Sequence, residues 1–411
     1  MELTAGQEAA VRMVDELLKE DGVFGVLTGF AGTGKTTMLR VLAERYGVPQ
    51  ILCPTGKAAL RVTEATDIRA MTIHRWLYDP REDPKTGLVL FTPKGADKLH
   101  VPLNGFIIVD EASMVSRREW ENLWGTCKNM GLRVLLVGDR FQLPPVEKTE
   151  EGFTKFSTLT DLDTPYRAEL TEVVRQAQDN PIIKASMLIR QSPDATLDAI
   201  QMLDKVDESE LVNSFLAMDP DRFLICHRNK TRHDLNLKVR AAMGYNPIAL
   251  QTGEPLLVLV NNYDLDRYNG EVLTFDGWNQ IPSEPVAVVD RRKHTSHMMG
   301  FGVANVGARL VTLSEEEVFV TYTSIDRRVV KTAARRLARD VWGYEKSTEP
   351  PHLNAELGYA LTAHKAQGSQ ANDVLVAVEQ SLPGGLYGYE GRRWIYTAIT
   401  RSVNNVKLCL F

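Results

Sequence analysis

The chain has 411 residues, of which 44% are hydrophobic and 25% charged, with a formal net charge of −5. That length holds two or three domains with sizeable cores, and the composition excludes a disordered or fibrous chain. No apolar run approaches membrane-spanning length, Met1-Glu2-Leu3-Thr4 lacks a basic-then-apolar leader, and Cys53, Cys127, Cys226 and Cys409 are never spaced as a metal site or disulfide frame. The expectation is a cytoplasmic, intracellular protein with reduced core thiols and no membrane partner. The acidic balance argues against non-specific wrapping of nucleic acid but leaves room for a narrow channel with local polar and basic contacts.

Leu3 to Gln7 opens a helix with Thr4 as N-cap. The Gln7 amide can read an adenine edge by donating and accepting at once, although a helical glutamine is more often simply solvated. Val23 to Leu27 is a buried strand, Thr37 to Tyr46 a helix, and between them Gly29-Phe30-Ala31-Gly32-Thr33-Gly34-Lys35-Thr36 fits G-x-x-x-x-G-K-[ST] at every fixed position. The backbone from Gly29 through Ala31, Gly32, Thr33, Gly34, Lys35, Thr36 and Thr37 is therefore expected to cradle phosphates at a helix N-terminus. Lys35 reaches the β- and γ-phosphates and Thr36 ligates Mg²⁺, so ATP and Mg²⁺ are the expected cofactors.

Gln50 to Cys53 is a second strand, ending in Pro54-Thr55-Gly56-Lys57; Thr72-Ile73-His74 closes another short gap. Polar residues at strand ends are where open α/β sheets bind ligands, though capped helix starts explain them equally well. Leu77 to Asn104 is turn-rich and then β-prone, which reads as an inserted hairpin or a surface loop. Phe106 to Val109 is a buried strand ending in Asp110-Glu111; Asp110 is expected on Mg²⁺ and Glu111 behind the attacking water. Val134 to Asp139 is a further strand, and the turn after it sets the Gln142 amide beside the γ-phosphate.

These stretches in this order resemble the superfamily 1 helicases, most closely the RecD/Dda-like 5′→3′ branch (superfamily 1B). Leu3-Thr4-x-x-Gln7, the 29–36 loop, Pro54-Thr55-x-Lys57-Ala58-Ala59, Thr72-Ile73-His74, Val109 to Met114 and Gly138 to Pro145 are similar to the family's first-half motifs. Glu169 to Gln176, Ala360 to Ser369 and Tyr396 to Ser402 are similar to three of the second half. The resemblance implies an α/β fold of two RecA-like P-loop NTPase domains with an inserted pin-like hairpin and an inserted small, SH3-like β-rich domain. The implied limits are 1–164 for the first domain with 77–104 inserted, 165–247 and 353–411 for the second, and 248–352 for the β-rich insert. Within that insert, strands are expected at Leu256 to Val260, Glu271 to Phe275, Val286 to Val289, Arg309 to Leu313 and Val318 to Tyr322.

The resemblance further implies an ATP hydrolase moving 5′→3′ on single-stranded DNA and unwinding duplex and fork DNA in replication, repair or recombination, with a monomer as the active unit and a single-strand-binding or replication or repair protein as partner. Arg175 and Arg401 are then arginine fingers, or else surface ion pairs, and Gln367 beside Gly368 senses the γ-phosphate. Pro54, Thr55, Thr72, His74, Asn229, Thr362 and His364 would line the single-strand path, with Phe91 at the fork; His364 is otherwise a core residue. Lys331, Arg335 and Arg339 share a helical face that suits phosphate or solvent equally. A translocase that displaces proteins with little unwinding, an RNA helicase, a small-molecule P-loop kinase and an ATP-gated binding switch remain as alternatives. Stimulation of ATP hydrolysis by single strands separates the motors from the kinase.

Overall fold

A computed structural model describes residues 3–82, 89–149, 152–173, 180–245, 251–259, 267–280, 286–290, 295–299, 301–308, 316–321, 352–382 and 384–411. The chain forms two compact units: Met1–Leu203 with Gln367–Gln370 and Ser381–Arg401, and Asp204–Ala366 with Ala371–Gln380 and Ser402–Phe411.

The first unit runs α1 (Ala5–Leu17), β1 (Phe24–Gly29), α2 (Lys35–Tyr46), β2 (Gln50–Cys53), α3 (Gly56–Thr66), β3 (Ala70–Thr72), α4 (Ile73–Leu77), β4 (Tyr78–Glu82), β5 (Val89–Pro93), β6 (Phe106–Val109), α5 (Arg117–Asn129), β7 (Arg133–Gly138), β8 (Val146–Thr149), β9 (Gly152–Lys155), β10 (Arg167–Leu170), α6 (Pro181–Gln191) and α7 (Pro193–Met202). Six strands form a parallel sheet in the order β10-β1-β7-β6-β2-β3. Its inner strands β1, β7, β6 and β2 are largely apolar because both faces are covered. Alternate side chains feed opposite cores: Leu27, Ile51, Phe106, Ile108, Leu135 and Val137 pack with residues of α1, α2 and α3, while Val26, Leu52, Ile107, Val109, Val134 and Leu136 pack with residues of α4 and α5.

The expected excursion is a hairpin: β4 and β5 pair antiparallel, with Pro80 opposite Phe91. The expected break at 164/165 is not where the first unit ends. Leu170 is buried in the first core, and β10 pairs parallel with the edge of β1. A strand this short gives no hint in the sequence of which sheet it extends; the open edge of β1 decides it.

The second unit holds β11 (Asp204–Lys205), α8 (Leu211–Leu216), β12 (Arg222–Cys226), α9 (Asn229–Ala242), β13 (Pro255–Val258), β14 (Val272–Gln280), β15 (Val286–Asp290), β16 (Thr295–Met299), β17 (Phe301–Ala308), β18 (Glu316–Thr321), β19 (His352–Leu357), β20 (Ala360–Thr362), β21 (Ala371–Val378) and β22 (Ser402–Leu410). A second parallel sheet runs β11-β22-β21-β12-β20. The β-rich insert closes as a five-stranded barrel, β13-β14-β17-β18-β19. Its last strand, β19, falls past the expected edge of the insert at 352, since closure needs a partner for both β13 and β18. The expected strand at Arg309 to Leu313 and the Lys331, Arg335 and Arg339 stripe lie outside the described residues.

Barrel and sheet share one core, in which Leu256, Leu273, Phe275 and Leu357 meet Leu224, Leu375 and Leu235. Beside it Arg240 Nε donates to Glu254 Oε1 at 2.6 Å and Nη2 to Oε2 at 3.0 Å, both side chains almost wholly buried. Tyr359 Oη and the Gln251 N–H also donate to Glu254, at 3.1 and 2.7 Å, so this buried carboxylate is fully engaged. All four cysteines are buried and free, and burial pushes the Cys127 and Cys226 thiols up to about 12.

Candidate active site

Three neighbouring strands of the first sheet, β1, β7 and β6, deliver the phosphate-loop, Gly138-Asp139 and Asp110-Glu111 stretches to the same carboxyl edge. The loop curls because Gly32 (φ 79°) and Gly34 (φ 82°) sit in the left-handed region. At Gly29 a Cβ would lie 2.6 Å from Thr33 Oγ1, so the loop closes only over a bare α-carbon. Thr33 Oγ1 donates to Phe30 O at 2.8 Å, and Lys35 Nζ donates to Gly29 O at 2.8 Å and Phe30 O at 3.0 Å. Lys35, Thr36 and Thr37 open α2, partly exposed, at its positive end.

The acid pair is buried. Burial first, and then the charge of Glu111, push the Asp110 carboxyl up to about 6, against the pull of Arg61 and Lys35. Glu111 adopts φ 52°, a left-handed conformation unusual for a residue with a side chain. Arg61 Nη1 approaches Glu111 Oε1 at 3.5 Å, while Glu111 Oε2, Ser113 Oγ, Gln142 Oε1 and Ser369 Oγ are buried with no hydrogen-bond partner among the described residues. Buried polar atoms are otherwise almost always satisfied, so this cluster of acceptors and hydroxyls fits a polar occupant. A hard cation that keeps waters and phosphate oxygens in its shell needs only one or two protein oxygens, and Thr36 and Asp110 supply that donor chemistry. No described cluster of three His, Cys, Asp or Glu side chains offers a metal cage.

The later motif residues come to this same unit. Gln367 Nε2 donates to Leu143 O at 2.9 Å, and Gly368 lies against Thr55 and Ala58. Arg401 is 3% exposed; its guanidinium donates to Thr397 O at 3.0 Å, Thr400 Oγ1 at 3.2 Å and Ser369 O at 3.4 Å, and burial lowers its pKa while Glu111 raises it. The limits implied by the resemblance put these residues with 353–411; in the structure 367–370 and 381–401 group with the first unit. Arg175 lies outside the described residues.

Gln7 is buried, with its side-chain oxygen accepting from the Thr4 N–H at 3.1 Å in a capping box; Glu172 caps the same helix start through the Gly6 N–H at 3.2 Å. Thr72 ends β3 opposite Cys53, the end of β2, and Pro54, Thr55 and His74 follow just beyond these paired ends. Thr55 and Thr72 cap α3 and α4, as the cap reading expects. His74 Nδ1 lies 3.2 Å from Glu119 Oε1, which raises its pKa, and its ring meets those of Tyr78 and Phe91 at 5.6 and 5.7 Å. Phe91 is 42% exposed. In the second unit Thr362 is buried at the end of β20, paired through Cys226 with β12, whose following helix opens at the exposed Asn229; His364 is half-buried.

The sequence reading missed Arg61, took Ser113, Ser369, Tyr396 and Thr397 only as parts of motif stretches and, above all, did not see that one helix, Tyr389–Ile399, carries Arg393, Tyr396 and Thr397. That helix turns Arg393, Tyr396 and Thr397 toward the Gly138–Leu143 turn. Their i, i+3, i+4 spacing is the signal that was there to be used.

Residues 2–212, just over half of the chain, match the family model of the AAA domain, and residues 357–409 match that of the UvrD-like helicase C-terminal domain. The ATP-dependent RecD2 DNA helicase of Deinococcus radiodurans is 30% identical over 92% of this chain and 45% of its own length. The chain is an AAA-domain protein of the RecD/Pif1 branch of superfamily 1B. The ATP-dependent DNA helicase Pif1 of Campylobacter jejuni is 26% identical over 95% of this superfamily 1B chain and 89% of its own. A crystal structure of Bacteroides Pif1 bound to single-stranded DNA matches at 20% identity with a TM-score of 0.55, covering 99% of this chain and 92% of that one, which shows the fold: two RecA-like domains. The chain spans less than half the length of its RecD2 relative. Among the described residues no helix is long and apolar enough to cross a membrane.

Proposed function

We propose that this superfamily 1B protein is a cytoplasmic ATP-driven motor that moves 5′→3′ along single-stranded DNA and unwinds duplex and fork DNA. The observation that carries this is the convergence of Lys35, Asp110, Glu111 and Gln142 on three adjacent strand ends, around buried polar atoms that the described protein leaves unpaired. Lys35 holds the β- and γ-phosphates, and the α2 N-terminus adds its dipole. Thr36 and Asp110 would hold Mg²⁺, which would supply neutralisation of phosphate charge there. Glu111 orients the attacking water and takes its proton, and the Gln142 amide faces the terminal phosphate. Arg401, with its guanidinium held by two carbonyls and a hydroxyl, meets the charge that builds on the transferring group; Arg175 is the second such cation in this reading. Gln367 senses the terminal phosphate from beside Leu143, and Gln7 reads the adenine edge. The β-rich barrel is read as SH3-like.

Threonine, histidine and backbone groups at the ends of β2, β3, β12 and β20 contact DNA phosphates without reading bases. The test is strand displacement on 5′- and 3′-tailed DNA and RNA duplexes, with ATP hydrolysis followed in parallel and Lys35→Ala as the inactive control. Unwinding of 5′-tailed DNA alone supports the proposal. Unwinding of 3′-tailed substrates alone, or hydrolysis indifferent to single strands, sinks it.

A further inference from the structure

Tyr396 is wholly buried on the Tyr389–Ile399 helix. Its hydroxyl accepts from the Ala31 N–H of the phosphate loop at 3.1 Å and donates to Asp139 Oδ2. The other oxygen, Asp139 Oδ1, accepts from the Phe141 N–H at 2.9 Å. One turn before and one residue after, the helix grips the same turn again: Arg393 donates to the carbonyls of Phe141 and Gln142, and Thr397 Oγ1 accepts from the Leu143 N–H at 3.1 Å. The ring of Phe141 lies edge-on to that of Tyr396, 5.2 Å away. Every hydrogen-bonding group of the Gly138–Leu143 turn named here is thus fixed by its own Asp139 or by this helix, and Tyr396 alone of these side chains also reaches the phosphate loop.

We propose that Tyr396 is a positioning residue for ATP hydrolysis: its hydroxyl bolts the phosphate loop to the turn that carries Gln142, and so sets the spacing between the phosphate cradle and the Gln142 amide. The inference rests on the motor reading above. It assigns Tyr396 no contact with the nucleotide. Burial holds the phenol well above its ordinary pKa, which keeps the hydroxyl a donor to Asp139 at all working pH values.

The test is Tyr396→Phe, which removes one hydroxyl and keeps the ring. Misplacement of a positioned group acts on the chemical step more than on ground-state binding. The expected result is a fall in kcat of about tenfold or more, with the KM for ATP and the affinity for single-stranded DNA each within about threefold of the parent. Asp139→Asn in the same background removes the buried carboxylate that Tyr396→Phe leaves unpaired; it is expected to restore thermal stability without restoring kcat. A kcat within about twofold of the parent, or one that recovers together with stability in the double variant, overturns the proposal. If the parent itself does not hydrolyse ATP, the motor reading fails by itself. The bolt is then read from amide hydrogen exchange at Ala31: exchange about tenfold faster in Tyr396→Phe sustains it, and unchanged exchange overturns it.

Discussion

Two regions of this molecule bury charge, and they do it in opposite ways. In the second unit Glu254 is surrounded by donors: two from Arg240, one from Tyr359 and one from the backbone of Gln251. In the first unit Glu111 has, among the described residues, one distant partner in Arg61, a buried oxygen with none, and a neighbour, Asp110, whose carboxyl burial has pushed up to about 6. A satisfied buried network holds two elements in one arrangement, here α9 against the approach to the barrel. A site left short of partners is costly to the fold and is kept where a ligand completes it. The contrast separates stability from chemistry, and it can be attacked from either side.

The largest effect is expected at the satisfied pair. Arg240→Met strands Glu254 in the core and should lower unfolding free energy by about 3–5 kcal/mol in denaturant titration. Arg240→Met with Glu254→Leu should recover most of that loss, because no charge is left to bury. A single variant as stable as the parent would erase the contrast. Next is the unsatisfied site, where Glu111→Gln should cut turnover about a hundredfold while the melting temperature stays within a few degrees. If that variant loses stability as Arg240→Met does, Glu111 is a structural acid.

Phe91 tests whether the hairpin is part of the machine or only packed on it. Phe91→Ala should slow strand separation about fivefold, the equivalent of roughly 1 kcal/mol of ring contact, and leave DNA-stimulated hydrolysis intact. Replacing Asp83 to Pro93 with a short Gly-Ser link should abolish unwinding on the same logic; 83–88 lie outside the described residues. Equal losses of both activities would mean that the His74, Tyr78 and Phe91 rings serve the fold alone.

The smallest effect is a pH dependence. The Glu119 carboxylate raises the His74 pKa, so the stabilisation from this pair is complete below the ordinary histidine value and is lost as pH rises through the higher folded value. The His74 side chain is half-exposed, which limits the effect to about 0.5 kcal/mol. The stability gap between parent and His74→Gln should be present at about pH 6 and gone at about pH 9. A gap that widens with pH would reverse the sign and remove Glu119 as the cause.

The sequence by itself determined the local chemistry. A glycine pattern between a strand and a helix, an acid pair at a strand end and a Gly-Asp turn need only a few neighbouring residues, so their place at the strand ends was legible before any fold was known. The hairpin was legible for the same reason: its pairing is local. What joins residues hundreds of positions apart was not. Only the tertiary structure drew β10 into the first sheet, closed the barrel through β19, carried 381–401 into the first unit and brought Tyr396 to Ala31. Each of these is decided by which open strand edge, buried donor or uncovered face finds its partner, and such pairing depends on the whole chain being packed.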